Sequence, residues 1–333
     1  MRNVVLGFMF EPEKLGMRIV LGLAVWLVAS VVRRPELTQR EWGEQLLLWA
    51  TVFVIPISLS WVRPIPSVLA KCIWRFLHAG HLPAALLLMV SFTLEPGMLA
   101  CVSAVPWVMI LMTLALLGLV HLLHSGKLSI RDLCLDGGAI LSLIGGIWLL
   151  CDRLAFRPLD FDPDIVLLTA IHFHYAAYAL PVCAGLLVQA LPKSLIKLSA
   201  LGILISVPLV AAGITLTHLT QQVWLETLAA SLLSLCAGIL ATVQLCLGMS
   251  RSFSGKARIG LAFGAVALLG TVVLSFLYGA RPYLALSELD IPFMRKWHGT
   301  LGALGFSTIT LATWYLVTSD NQRPGVETMQ QVS

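Results

Sequence analysis

The chain has 333 residues, of which 58% are hydrophobic and only 12% charged, with a formal net charge of +5. Its mean hydropathy is +0.90. An average soluble domain is about 45–50% apolar and roughly 25% charged, so a water-soluble enzyme, a disordered chain and a nucleic-acid binder are excluded. What remains is an all-α, multi-pass transmembrane helix bundle.

A spanning helix needs about 20 residues, and apolar runs bounded by charges and prolines give about ten spans with short loops. In chain order they cover 17–33, 44–62, 81–97, 98–122, 134–151, 164–191, 195–217, 223–248, 257–279 and 297–318. Glu11, Pro12 and Glu13 interrupt the start ahead of the first run, so no cleavable signal peptide is expected. The stretch 65–80 (IPSVLAKCIWRFLHAG) mixes apolar and basic residues and reads as an interfacial amphipathic helix. Glu95, Pro96 and Gly97 leave room only for a tight hairpin between the third and fourth spans. We expect one transmembrane domain over 1–333. Its first half, 1–150, is legible by hydropathy alone; 151–320 carries the histidine motifs, and 321–333 is a polar tail. Ten spans also allow a five-plus-five arrangement of the kind found in some transporters.

Under this assignment fourteen of the 22 Lys and Arg residues fall on the side of the N-terminus and eight on the other. The positive-inside rule then places both termini in the cytoplasm of a cell (inner) membrane protein. The seven cysteines are scattered and form no CxxC pair, so they read as small core residues rather than a disulfide framework or zinc site. The sequence requires no metal or other cofactor, and its one certain partner is the lipid bilayer.

Ionisable groups inside a membrane are costly and usually face the bundle interior or a wet cavity. The sharpest such stretch is LTAIHFHYAAYALP, residues 168–181. His172 and His174, two apart, point about 200° away from each other on a regular helix. Helical spacing puts Tyr175 on the face of His172 and Tyr178 on the face of His174. Pro181 removes a backbone donor and should kink the helix about one turn below the Tyr175–Tyr178 region. The second stretch is KWHGTLGALGF, residues 296–306. There His298 opens the tenth span, and Gly299, Gly302 and Gly305 offer a face for close packing. Both stretches start from the same side, so His298 and His172 should lie at comparable depth, with the sixth and tenth spans as neighbours. The loops before them are rich in charge, most of it expected to be solvated. Asp152, Arg281 and Asp290 are the expected inward-turning exceptions. His78/His81 and His121/His124 are i, i+3 pairs on the other side. They read as His-rich helix ends, with shared ligation of a metal or haem as the alternative.

LTAIHFHYAAYALP with the preceding LDFDPDIV, and DIPFMRKWHGTLGALGF, resemble the signature regions of the YndJ-like family of bacterial membrane proteins. The resemblance covers the second half of the chain, from about residue 150. It departs from the family pattern at Ala177, where the family tends to have Gly, and at Gly302, where it tends to have Asn. It implies a polytopic membrane fold and, by the family's labelling, transport. The His172-Phe173-His174-Tyr175 step is also similar to the haem-ligating pair on one helix of haem-copper oxidases, whose copper-ligand histidines have no counterpart here. Three functions follow. The first is a transporter of a small substrate through a non-cytoplasmic cavity built on His172, His174, Tyr175, Tyr178 and His298. The second is an intramembrane enzyme using His or Asp acid-base chemistry on a lipid-like or isoprenoid substrate. The third is a haem- or metal-binding membrane protein.

Overall fold

The computed structural model describes residues 12–32, 38–62, 68–124, 128–284, 286 and 288–320. Among these residues the regular structure is entirely helical, with no strand. Ten helices follow one another: α1 Pro12–Val32, α2 Gln39–Trp61, α4 Met98–His124, α5 Ile130–Arg153 and α6 Pro163–Ala190. The remaining five are α3 Val68–Thr93, α7 Ser194–Thr220, α8 Trp224–Met249, α9 Gly255–Leu284 and α10 Ile291–Ser319. Nine of them carry described stretches long and apolar enough to cross a membrane. Large apolar side chains such as Leu116, Leu198, Ile259 and Val266 stand exposed on the outside. Such a surface belongs in hydrocarbon, where every backbone polar group must be satisfied within the helices.

The spans agree with the apolar runs, with one correction. Residues 68–80 are not a separate interfacial helix; they form the first half of α3, which runs on through Pro83 to Thr93. Residues 65–67 of that stretch lie outside the described residues. The consequence is positional: His81 sits near the middle of a 26-residue helix rather than at a span end. The hairpin between α3 and α4 turns at Glu95–Gly97, and its Gly97 N–H donates to the Arg153 carbonyl at 2.7 Å.

Helix starts follow local chemistry. Thr38 opens α2 with a capping box, its hydroxyl accepting from Glu41 N–H while its own N–H donates to the Glu41 carboxylate. Ser129, Asp162 and Asp290 cap α5, α6 and α10, each side chain accepting one backbone N–H of the first turn.

The bundle is not uniform in burial. α2 is 89% and α6 72% buried over their apolar windows, against 28–44% for the seven other described helices long and apolar enough to cross a membrane. These two are the central helices, and both are interrupted. Ala50–Val54 of α2 and Tyr175–Ala179 of α6 are π-turns, each followed two residues on by a proline, Pro56 and Pro181. α10 contains two more, Arg295–Gly299 and Leu301–Thr308. A proline lacks the N–H of the regular ladder and crowds the carbonyl four residues earlier; widening the preceding turn relieves both.

Candidate functional site

At the end of the bundle where α2, α6 and α10 begin, charges from four helices meet. Arg40 Nη2 lies 2.5 Å from Asp152 Oδ1, with Glu44 at 3.5 Å and Asp164 at 3.7 Å. Asp152 turns its other oxygen to Arg153 Nε at 2.9 Å, and Asp164 reaches Arg295 Nη2 at 2.7 Å. Arg153 also donates to the Ser91 carbonyl and lies over the Phe92 ring. Glu44, Asp152, Arg153 and Arg295 are all buried. Expecting these loop charges to be solvated holds for Asp160, Asp162 and Glu288, which are exposed, and fails for Arg153 and Arg295; Asp152, expected to turn inward, is buried. The physical reason is compensation: three guanidinium groups and three carboxylates neutralise one another, which is the condition for burying charge at all.

Below this network the polar side chains of α6 part company. His174 is fully buried. Its Nδ1–H donates to the Ala170 carbonyl at 2.8 Å, and its Nε2 accepts from Trp107 Nε1–H of α4 at 3.2 Å. Both ring nitrogens are therefore engaged, which fixes a neutral imidazole in one tautomer. Gly145 of α5 makes the arrangement possible, since a Cβ there would come within 2.8 Å of Phe173 Cβ and 3.0 Å of His174 Nδ1. Trp107 touches His81 edge-on at 5.9 Å on its other side, and His81 Nε2–H donates to the Thr51 carbonyl at 2.7 Å.

His172 leaves the opposite face and stays accessible. Its ring stacks on that of His298, with centroids 6.1 Å apart and planes at 26°. Here the chemistry differs from His174. His172 Nδ1–H donates to Leu168 O at 2.7 Å, and His298 Nδ1–H to Thr271 O of α9 at 3.1 Å. Each ring thus spends one nitrogen on backbone and keeps Nε2 as an acceptor. α6 and α10 are neighbours through this pair and through Asp164–Arg295. The glycine face of α10 is used elsewhere: Gly302 and Gly305 face Thr271 and Ala267 of α9, and Gly299 faces Leu46 of α2.

The tyrosines do not follow the histidines. Tyr175 donates to the Leu46 carbonyl of α2 at 2.6 Å, and Tyr178 is hydrogen-bonded to Ser58 of the same helix. The sequence reading assigned them to the two histidine faces by regular helical spacing. The π-turn at Tyr175–Ala179 adds a residue to that turn and swings both toward α2. Arg281 pairs with Glu226 at 3.5 Å and lies over the Tyr278 ring, away from the histidine pair. Asp290 is exposed and serves as the α10 cap, accepting from Phe293 N–H at 2.8 Å.

Sequence reasoning missed Arg40, Asp164, Arg295, Trp107 and His81 as members of the polar core. Arg40 carried one usable signal, its helical spacing from Glu44. The i, i+3 histidine pairs are not drawn into one cluster: His81 turns to Trp107, His121 to Asp136, and His124 is exposed. Among the described residues, no three His, Cys, Asp or Glu side chains come together in a way that could hold a metal ion.

Comparison with known proteins gives one family. The model of the family described as YndJ-like protein matches residues 45–306, most of the chain. A curated relative, named "uncharacterized membrane protein YndJ", of Bacillus subtilis (strain 168), is 27% identical over 275 residues. The match covers 82% of this chain and 48% of the relative, so the chain spans about half the length of that protein. No solved structure matches.

Proposed function

This chain belongs to the YndJ-like family of membrane proteins, and we propose that it is a transporter binding a small solute at the His172–His298 pair together with a proton. The observation that carries this reading is the pair itself. Two stacked imidazoles, each anchored through Nδ1, present two Nε2 acceptors at an accessible seam of α6, α9 and α10. Histidine is suited to binding and releasing protons under physiological conditions. Two unit charges about 6 Å apart repel by roughly 3 kcal/mol at an effective dielectric constant of 20, so the pair takes one proton at a time and titrates as a unit. A solute bearing an acidic group draws that proton on as it binds, and solute and proton then move together. π-turns in α2, α6 and α10 supply helices with two ways of closing their hydrogen-bond ladder, as an alternating site needs. The lysine and arginine distribution supports an orientation with the Arg40–Arg295 end on the non-cytoplasmic side and both termini cytoplasmic.

The test uses proteoliposomes loaded with a pH-sensitive dye and a panel of small organic acids added outside. A solute-dependent acidification of the interior, lost in His172→Gln and His298→Gln, is the expected result. Acidification that survives both substitutions overturns the proposal. A second reading rests on the lateral accessibility of His172: an enzyme using the same pair as acid and base on a lipid-like substrate. Such an enzyme would work in detergent solution without a sealed compartment, which separates the two.

A further inference from the structure

Of the three arginines at the charged end of the bundle, two spend N–H groups on aligned partners. Arg40 donates to Asp152, and Arg153 donates to Asp152 and to the Ser91 carbonyl. Arg295 differs. Its side chain is 2% exposed, yet neither Nε nor Nη2 has a hydrogen-bond partner among the described residues. Asp164 Oδ2 stands 2.7 Å from Nη2 but off the N–H directions, so the contact is one of charge alone. Nε and Nη2 share one edge of the guanidinium, where their two N–H bonds run parallel. That edge is the one that grips a carboxylate by both oxygens.

We propose that Arg295 is a carboxylate-binding site, with Asp164 as the side chain that yields its place to the ligand. Unmet donors carry the argument. A buried polar group is normally hydrogen-bonded, and two parallel N–H bonds left open on a buried cation select a planar anion with two oxygens. Asp164 is a loose occupant. Its side chain is 40% exposed, its other oxygen is 3.7 Å from Arg40 Nη1, and its carboxylate accepts no hydrogen bond among the described residues. The arginine, by contrast, is held in place. Its stem passes Gly43 of α2, where a Cβ would come within 3.6 Å of Arg295 Cδ and 3.3 Å of Ile171 Cδ1 of α6. Asp152 does not compete, because both its oxygens are engaged by Arg40 and Arg153. No covalent bond changes: one carboxylate replaces another, and the charge facing Arg295 is the same before and after. His298 belongs to the same π-turn, Arg295–Gly299, so docking at the arginine bears on the segment that carries the histidine pair. The site gives the transport reading its class of solute, a carboxylate, and rests on that reading only for the claim that the bound anion moves.

The experiment measures binding without flux. Nitrogen-15 spectra of the full chain, labelled at arginine and held in lipid nanodiscs at neutral pH, follow the Nε signals while acetate replaces chloride at constant ionic strength. Arg295→Lys, which keeps the charge and loses the edge, assigns the signal. In wild type the Arg295 Nε signal is expected to shift with acetate and to saturate. Asp164→Asn, which removes the competing carboxylate, should lower the half-saturating acetate concentration about tenfold. An Arg295 Nε signal that stays put, as it would if water alone satisfies the edge, overturns the proposal. So does an Asp164→Asn half-saturation equal to or above that of wild type. Should Arg295→Lys fail to fold, the signal whose titration Asp164→Asn displaces identifies Arg295 instead. A chain that binds acetate in this way and carries no solute-dependent flux keeps the site and loses the transport reading.

Discussion

Removing Asp152 should destabilise the protein far more than removing Arg40, although the two are bonded to each other. Asp152 holds two arginines, Arg40 at 2.5 Å and Arg153 at 2.9 Å. Arg40 is 31% exposed at its side chain and keeps Glu44 and Asp164 within 3.7 Å, so it tolerates the loss. Arg153 is 2% exposed, and its remaining contacts are one carbonyl and the face of Phe92. Asp152→Asn therefore leaves a buried guanidinium without a counter-charge, a change that costs about 3–5 kcal/mol. Arg40→Gln leaves Asp152 paired with Arg153 and costs about 1 kcal/mol or less. The double variant Asp152→Asn/Arg153→Met removes the stranded charge and should recover most of the loss. Equilibrium unfolding in mixed micelles, followed by tryptophan fluorescence, measures all three. Equal losses for Arg40→Gln and Asp152→Asn, or a double variant no better than Asp152→Asn, would refute the view that the network is needed to neutralise Arg153.

Two further outcomes follow from the same geometry. Trp107→Phe deprives His174 Nε2 of its donor and should cost about 1–3 kcal/mol of stability, while the folded protein keeps its solute-driven proton uptake. Asp290→Ala removes only a helix cap; about 1 kcal/mol should be lost on unfolding, with the flux unchanged. Loss of flux at normal abundance in either variant would assign those residues to the site rather than to the scaffold.

Hydropathy alone was enough to read the ten helices, because a bilayer leaves a spanning chain no other way to satisfy its backbone. The i, i+2 spacing of His172 and His174 was equally legible: it sends them to different neighbours, and it does. What could not be read was every feature that depends on a remote helix. Arg40 and Asp152 are 112 residues apart in sequence, and nothing local distinguishes an arginine that will be neutralised from one that will meet water. The tyrosines were misdirected because regular spacing fails across the π-turn, and Pro181 signals a disturbance without saying which kind. The α3 reading failed for a related reason. Lys71 and Arg75 looked interfacial, yet the helix that carries them continues without a break.

Counting protons distinguishes a single proton-holding unit of His172 and His298, with His174 as scaffold, from independent histidines. Purified protein in weakly buffered detergent is taken from pH 8 to pH 4, and the protons bound per chain are measured with an indicator dye. His172→Gln/His298→Gln should bind one proton fewer than wild type, either single variant the wild-type number, and Trp107→Phe should leave the number unchanged. A double variant that binds as many protons as wild type, or two fewer, would contradict it.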